Sequence, residues 1–522
     1  MASVGAMLVA VVLVWTQIFL IIALLFMHRR LFQAAIVILF AGFGIADHFV
    51  GMAKVSINLM LVSLAQANLF ETVSMINAAL MYRIAVLVAL AAGVIWLSNS
   101  CRAISWHQLR SEVLATAPFG LMLASTVAAF AISPRFAMES VSSYLPIGGI
   151  TQARTVLINT ALIKERNKTR IDLGKLPATI DVEQSDSLIV VVVVGETARA
   201  KSFSLNGYER NTNPQLSRVE GLISFTDAWA CQTVTIKALP CLMTRSTVAD
   251  LEQTLGTESS FISVFNRAGF RSAWLSTEPD WTIIDASYVV PTAIFREADQ
   301  THFASFINRW NKNRLRRGSG FSSLSLLPHL DALLEQDTDE PLLVVLNSFG
   351  SHFPYIREYL TAGSFQPVCD GTAECDNVQH VINAYDNTIH HTDLFLNQVI
   401  ERLRDRRALF LYVSDHGESL GEDGRFLHGH GSEDFAEIVR DGLYTAERHI
   451  PMLWWASSSF LADSTAAQRM KYLAAKSEDR VSHDNIFHSI IDCAGIESAA
   501  IYPQLSLCNS EPVPDYMTTF AR

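Results

Sequence analysis

Two kinds of hydrophobic pattern divide the chain. Up to about residue 135, apolar residues come in long unbroken runs, whereas from residue 187 they come in short runs parted by polar loops. Residues 7–27 (MLVAVVLVWTQIFLIIALLFM) hold no charged side chain and are long enough to cross a bilayer as one helix. Residues 33–51, 84–99 and 113–133 repeat the pattern, so four membrane spans are predicted within 1–135. A cleavable signal peptide accounts for the first run but not for the other three. Between the second and third runs, segment 54–82 is apolar at helical spacing but carries Asn58, Gln66, Asn68, Glu71 and Asn77. That pattern fits an amphipathic helix lying in the membrane–water interface, or else a polar-flecked connector. Residues 136–186 hold Pro146, Gly148-Gly149 and the charged stretch IKERNKTRIDLGK, and read as a bridging helix followed by an irregular linker.

From residue 187 the pattern alternates strand and helix. Strands are predicted near 188–194, 221–226, 270–276, 342–347, 408–413 and 450–456, and helices near 257–268, 324–336, 378–404 and 484–493. Residues 189–194 (IVVVVV) and 408–413 (ALFLYV) are apolar at every position, as strands buried on both faces are. The predicted fold class is therefore α/β: an N-terminal transmembrane helical domain followed by an α/β/α sandwich over 187–522, with helices on both faces of a mostly parallel sheet.

Composition and charge refine this picture. Hydrophobic residues make up 50% of the chain and mean hydropathy is +0.24, the excess lying in the first quarter. His28-Arg29-Arg30 follows the first run, and Arg102 and Arg110 lie between the third and fourth. Short basic connections stay in the cytoplasm, so the segment 54–82 and everything after about 135 fall on the opposite side. A net charge of −11 argues against a nucleic-acid partner. Of seven cysteines, Cys101 lies on the predicted cytoplasmic side. The other six form local pairs by spacing: Cys231 with Cys241, Cys369 with Cys375, and Cys493 with Cys508. In an exported domain these suggest three disulfides. A zinc–thiolate cluster is the rival, but the chain has no CxxC.

Candidate chemistry gathers at predicted strand ends. The strand at 408–413 delivers Asp415 and His416 into a loop with Gly417, Gly421 and Gly424, and His428 and His430 follow. Carboxylate and imidazole at the end of a buried strand suit a divalent metal, although such a pair also merely caps turns. Glu196 follows the valine-rich strand, and ligands collect at the carboxyl ends of parallel strands. A third piece, residues 229–245, holds Thr233 and Thr235 between two cysteines near a predicted helix start. A hydroxyl there is placed to attack an electrophile beside a bound anion. His430 and the His390-His391 pair, the latter inside a predicted helix, read as structural.

Seven motifs occur in order through the exported region: GETAR (195–199), NGYERNTNP (206–214), CQTVTIKALPC (231–241), HFPY (352–355), INAYDN (382–387), SDHGESLGE (414–422) and LHG (427–429). Together they resemble the membrane-anchored phosphoethanolamine transferases that modify lipid A and lipopolysaccharide, within the alkaline phosphatase/sulfatase superfamily. The resemblance implies a bacterial inner-membrane, multi-pass enzyme whose catalytic domain lies in the periplasm. Its nucleophile falls on Thr235, and its zinc ligands on Glu196, Thr235, Asp415 and His416. His352 and His428 are implied to handle substrate or a second metal, and Glu71 to reach the site from the membrane side. The implied reaction takes phosphoethanolamine from phosphatidylethanolamine, through a phosphothreonine-type intermediate, to lipid A or another periplasmic glycan. It implies Zn2+ as cofactor, contact with membrane lipid, and a monomer.

A phosphoglycerol transferase or phosphodiesterase of the same superfamily is the alternative. A sulfatase with a modified Cys or Ser nucleophile in a C-x-P-x-R motif is disfavoured, because Leu-Met-Thr-Arg follows Cys241. The chain departs from the family in showing four spans where five are usual, in Ala67 before Asn68, in lacking a basic residue in the LSTEPDW loop (275–281), and in lacking one further cysteine pair.

Overall fold

The chain divides into two compact units, Met1–Asn159 and Thr160–Arg522. The structure, a computed structural model, describes residues 89, 92–93, 165–166, 169–180, 187–277, 294–303, 322–336, 339–353, 355, 358, 363–369, 377–431 and 444–513. In the first unit these are residues 89 and 92–93 alone, all helical. The rest of the predicted spans, segment 54–82 with Glu71, and Cys375 lie outside the described residues. Among the described residues, no helix is long and apolar enough to cross a membrane.

Among the described residues, the second unit is built on an eight-stranded sheet. Its strands are β1 (Ile189–Gly195), β2 (Ile223–Trp229), β3 (Arg271–Ser276), β4 (Gln300–Phe303), β5 (Leu342–Asn347), β6 (Ala408–Ser414), β7 (His449–Ala456) and β8 (Val481–Ser482). They lie in the order β8-β2-β7-β6-β1-β5-β3-β4. Only β7 runs against the others, antiparallel to both β6 and β2. The sheet is thus mostly parallel, as the sequence predicts, and mixed by that one strand. β7 starts at the end of the sheet where β6 stops and runs back along it, Met452 pairing with Val413 and Ala456 with Leu409.

Period-two alternation along the strands fills two cores. Val190, Val192 and Val194 pack with Leu343, Val345, Leu409, Leu411 and Val413 on one face. Ile189, Val191 and Val193 pack with Leu342, Val344, Leu346, Phe410 and Tyr412 on the other. Helices α1 (Thr235–Met243), α2 (Phe261–Arg267), α5 (Ser464–Ala475) and α6 (Ile486–Cys493) cover the first face. Helices α3 (Leu327–Leu334) and α4 (Val378–Leu403) cover the second. Both faces of β1 are therefore out of water, which is why valine is tolerated at every position there.

The register of the central strands aligns the site. Gly195 at the end of β1 pairs with Ser414 at the end of β6, so Glu196 and Asp415 leave the sheet side by side. Two glycines allow the close approach. A Cβ on Gly195 would lie 2.6 Å from the Tyr412 hydroxyl. Gly350, at φ +52°, sits where a Cβ would lie 2.8 Å from the Glu196 carbonyl oxygen.

Candidate metal and nucleophile centre

The carboxyl ends of β1 and β6 and the first residue of α1 converge. Thr235 opens α1, after Val234 as the extended cap residue. Its Oγ1 donates to Glu196, 3.1 Å from each carboxylate oxygen, and lies 3.2 Å from His416 Nε2. His416 Nε2 is 3.5 Å from Glu196 Oε1 and 3.4 Å from Asp415 Oδ2. Glu196, Asp415 and His416 are buried while Thr235 is only partly so, which leaves the hydroxyl at the open side of the cluster.

Local hydrogen bonds fix each donor. His416 Nδ1 donates to the Gly417 carbonyl at 2.9 Å, which turns the lone pair of Nε2 toward the carboxylates. Burial lowers the His416 pKa, which favours the neutral ligand form, although the Asp415 charge acts the other way. Asp415 Oδ1 accepts from the backbone of Thr197 at 3.1 Å and of His416 at 2.7 Å, while Oδ2 has no hydrogen-bond partner among the described residues. Thr197 itself is held at φ 55°, a left-handed conformation unusual for a β-branched residue. Tyr385 pins it: its hydroxyl donates to the Thr197 carbonyl at 2.6 Å and accepts from the Arg199 backbone at 3.0 Å.

Two buried carboxylates around a neutral imidazole are costly unless a cation offsets them. The donor atoms of Glu196, Asp415 and His416 lie within 4.8 Å of one another. One orphaned carboxylate oxygen, one further carboxylate, one imidazole nitrogen and one hydroxyl match the ligand types and number of a tetrahedral zinc site.

A second group faces the same cleft. Glu196, His352 and His428 also offer donor atoms within 4.8 Å of one another. The ring of His428 lies 4.4 Å from that of His416 and 5.3 Å from that of His352, centroid to centroid. His352 Nδ1 donates to the Phe353 carbonyl at 2.6 Å. His428 Nδ1 lies 2.7 Å from Glu418 Oε2, and the Tyr355 hydroxyl donates to Glu418 Oε1 at 2.8 Å. Burial works to lower the His428 pKa, but the charge and hydrogen bond of Glu418 outweigh it and the pKa is raised.

The structure thus brings together Glu196, Thr235, His352, Asp415, His416 and His428. Sequence reasoning missed Glu418, Tyr355 and Tyr385 as supports, although all three sit inside the quoted motifs. The cysteines divide. Cys493 and Cys508 form a disulfide. Cys369 is also disulfide-bonded, and Cys375 is outside the described residues. The expected Cys231–Cys241 bridge is not formed: both are free thiols. Their sulfurs do come together, within 4.8 Å of each other and of a His483 ring nitrogen. Burial raises both thiol pKa values.

Residues 189–496 match the sulfatase family model, more than half of the chain. The chain belongs to the sulfatase family. Within this family it is similar to the Kdo(2)-lipid A phosphoethanolamine 7''-transferase of Salmonella typhimurium, 27% identical over 370 residues, covering 70% of this chain and 62% of that protein. It is 34% identical over 251 residues to the phosphatidylethanolamine transferase Mcr-1 of Escherichia coli, covering 46% of this chain and 44% of that one. The matched stretch is thus less than two thirds of either relative. Among solved structures, the integral membrane protein lipooligosaccharide phosphoethanolamine transferase A of Neisseria meningitidis matches with a TM-score of 0.73 at 24% identity, covering 95% of this chain and 90% of that one. At that identity the likeness is one of fold.

Proposed function

We propose that this sulfatase-family chain transfers phosphoethanolamine from phosphatidylethanolamine to lipid A or another lipopolysaccharide glycan. It does so from the bacterial inner membrane, as a monomer with its catalytic domain in the periplasm. The observation that carries this reading is the Thr235 hydroxyl, part-exposed at a helix start and 3.1 Å from both oxygens of the buried Glu196 carboxylate. A hydroxyl so placed is a nucleophile for a phosphodiester, and the similarity to a Kdo(2)-lipid A phosphoethanolamine 7''-transferase and to a phosphatidylethanolamine transferase supports the group transferred.

Glu196, Asp415, His416 and Thr235 would hold one zinc ion, and His352 and His428 line the place of a second metal or of substrate. When bound, zinc supplies Lewis-acid stabilisation of the alkoxide and phosphoryl oxygens. In the first half-reaction the Thr235 hydroxyl releases its proton to solvent at the open side of the cluster and its Oγ forms a bond to phosphorus, the phosphorus–glycerol oxygen bond breaks, and diacylglycerol leaves after gaining a proton. His428 suits the donor of that proton, since Glu418 raises its pKa. In the second, an oxygen of the acceptor bonds to phosphorus, the Thr235–phosphorus bond breaks, and the threonine hydroxyl regains a proton. The N-terminal backbone amides of α1 favour the anionic phosphoryl group beside Thr235.

Mass spectrometry of lipid A and core oligosaccharide, from cells with and without the protein, tests the reading. A phosphoethanolamine increment that disappears with Thr235→Ala is expected. An increment on core sugars alone would move the acceptor. No increment on either, with diacylglycerol released from phosphatidylglycerol instead, would replace the reading with phosphoglycerol transfer.

A further inference from the structure

Two histidine–carboxylate pairs sit two residues apart and serve different partners. His428 pairs with Glu418 and faces the cleft. His430 pairs with Glu447, whose side chain is fully buried just before β7. Glu447 Oε1 lies 2.6 Å from His430 Nδ1 and accepts from the Ser419 hydroxyl at 2.6 Å. Its Oε2 accepts from the His430 backbone N–H at 3.0 Å.

The main chain reinforces this hold. Gly417 N–H donates to the Glu447 carbonyl at 2.7 Å, and Glu418 N–H donates to the Ala446 carbonyl at 3.0 Å. The approach is so close that a Cβ on Gly417 would lie 2.3 Å from the Ala446 carbonyl oxygen. On the far side, the carbonyl of His430 accepts from the buried Thr233 hydroxyl at 3.0 Å, and Thr233 lies two residues before Thr235. One carboxylate therefore ties together the segment after Asp415-His416 and the segment carrying His428. Through His430 it also reaches the loop that delivers the nucleophile.

We propose that Glu447, acting through His430, is a positioning residue for the phosphoryl transfer, an inference that rests on the function proposed above. It does not touch the reacting atoms. It sets the spacing of three segments that have to align to a fraction of an ångström for in-line attack. A carboxylate suits the task because it accepts three hydrogen bonds at once, from two segments, in a volume closed to water.

The test uses the full chain in phospholipid vesicles, with diacylglycerol release as the rate and chelator competition as a measure of zinc retention. Glu447→Ala is expected to lower kcat by about 10- to 100-fold with KM within about twofold, and to weaken zinc retention by about tenfold. Glu447→Gln keeps an acceptor and a donor in the same place and is expected to restore kcat to within about threefold. Wild-type kcat in Glu447→Ala, or a loss carried by KM alone, overturns the proposal. If Glu447→Ala fails to fold, Thr233→Val against Thr233→Ser decides. A kcat loss in the valine variant that the serine variant lacks supports the proposal, and equal rates overturn it. If the wild type releases no diacylglycerol from any phospholipid, the proposed function fails by itself. Equal zinc retention in wild type and Glu447→Ala would then overturn the positioning role separately.

Discussion

At the scale of the residue, Thr235 and Glu418 carry different predictions because they meet the reaction differently. Thr235→Ala removes the attacking oxygen and its bonds to Glu196 while leaving α1 and its apolar contacts in place. Transfer should fall by at least about a thousandfold with thermal stability within about 1 kcal/mol of the wild type; residual transfer near the wild-type rate would move the nucleophile elsewhere. Glu418 touches His428 and Tyr355. Glu418→Gln keeps the shape but removes the charge that raises the His428 pKa, and activity should drop about 10- to 100-fold. Tyr355→Phe, which removes one bond to the same carboxylate, should cost less; a larger loss for Tyr355→Phe than for Glu418→Gln would contradict the order of support. Glu196, Asp415 and His416 stood out in the sequence because each follows an apolar run that ends abruptly in charge. Glu418 did not, since its role depends on a histidine ten residues on and a tyrosine 63 residues back.

At the scale of the element, patterning succeeded where burial is uniform and failed where it is marginal. The strands at 189–195, 342–347 and 408–414 lie within a residue or two of expectation because every position is buried. Edge strand β4, Gln300–Phe303, was missed: its residues are exposed or half-buried and its polar start gives no apolar run. Helix α5 was missed because its mean hydropathic character is polar and only Ala466, Met470 and Leu473 are buried. The C-terminal helix α6 was legible, and two features of it make a joint prediction. The Cys493–Cys508 disulfide closes a loop of separation 15, so Cys508→Ser should cost about 3 kcal/mol. His488, fully buried in the same helix, accepts the Tyr502 N–H at 3.0 Å through Nδ1. Burial lowers its pKa to about 3. A folded-state pKa below the unfolded one gives stability that is complete above about pH 6.5 and is lost as pH falls toward 3. Tm should therefore fall between pH 6.5 and 4, and His488→Gln, which keeps an acceptor for Tyr502, should flatten part of that fall. An unchanged slope in the variant would remove His488 as its source.

At the scale of the whole molecule, the division at Asn159/Thr160 separates two kinds of work. The second unit holds both faces of its sheet covered by its own helices, so its stability has a source within itself. Among the described residues, those that fill the two cores begin at Leu173, well after the long apolar runs that end near residue 133. Their use on the proposed reading is to keep the Thr235 cleft beside a donor that is itself a membrane lipid. The chain's net charge of −11 sharpens the point, because an acidic protein is not drawn to anionic bilayer surfaces and needs another means of staying there. A fragment of residues 160–522 is accordingly expected to unfold cooperatively, with a Tm within a few degrees of the full chain's catalytic unit. It should also retain zinc as the full chain does. Against phosphatidylethanolamine in vesicles it should be slower by about two orders of magnitude, the size of an effective-concentration advantage. Against a short-chain, water-soluble donor that deficit should shrink to within a few-fold, since encounter in solution no longer favours the anchored form. If the fragment matched the full chain on vesicles, the membrane runs would have to serve something other than access to the donor. If the fragment were equally slow on both donors, the first unit would instead contribute to the chemistry, and Glu71 would be the first residue to substitute.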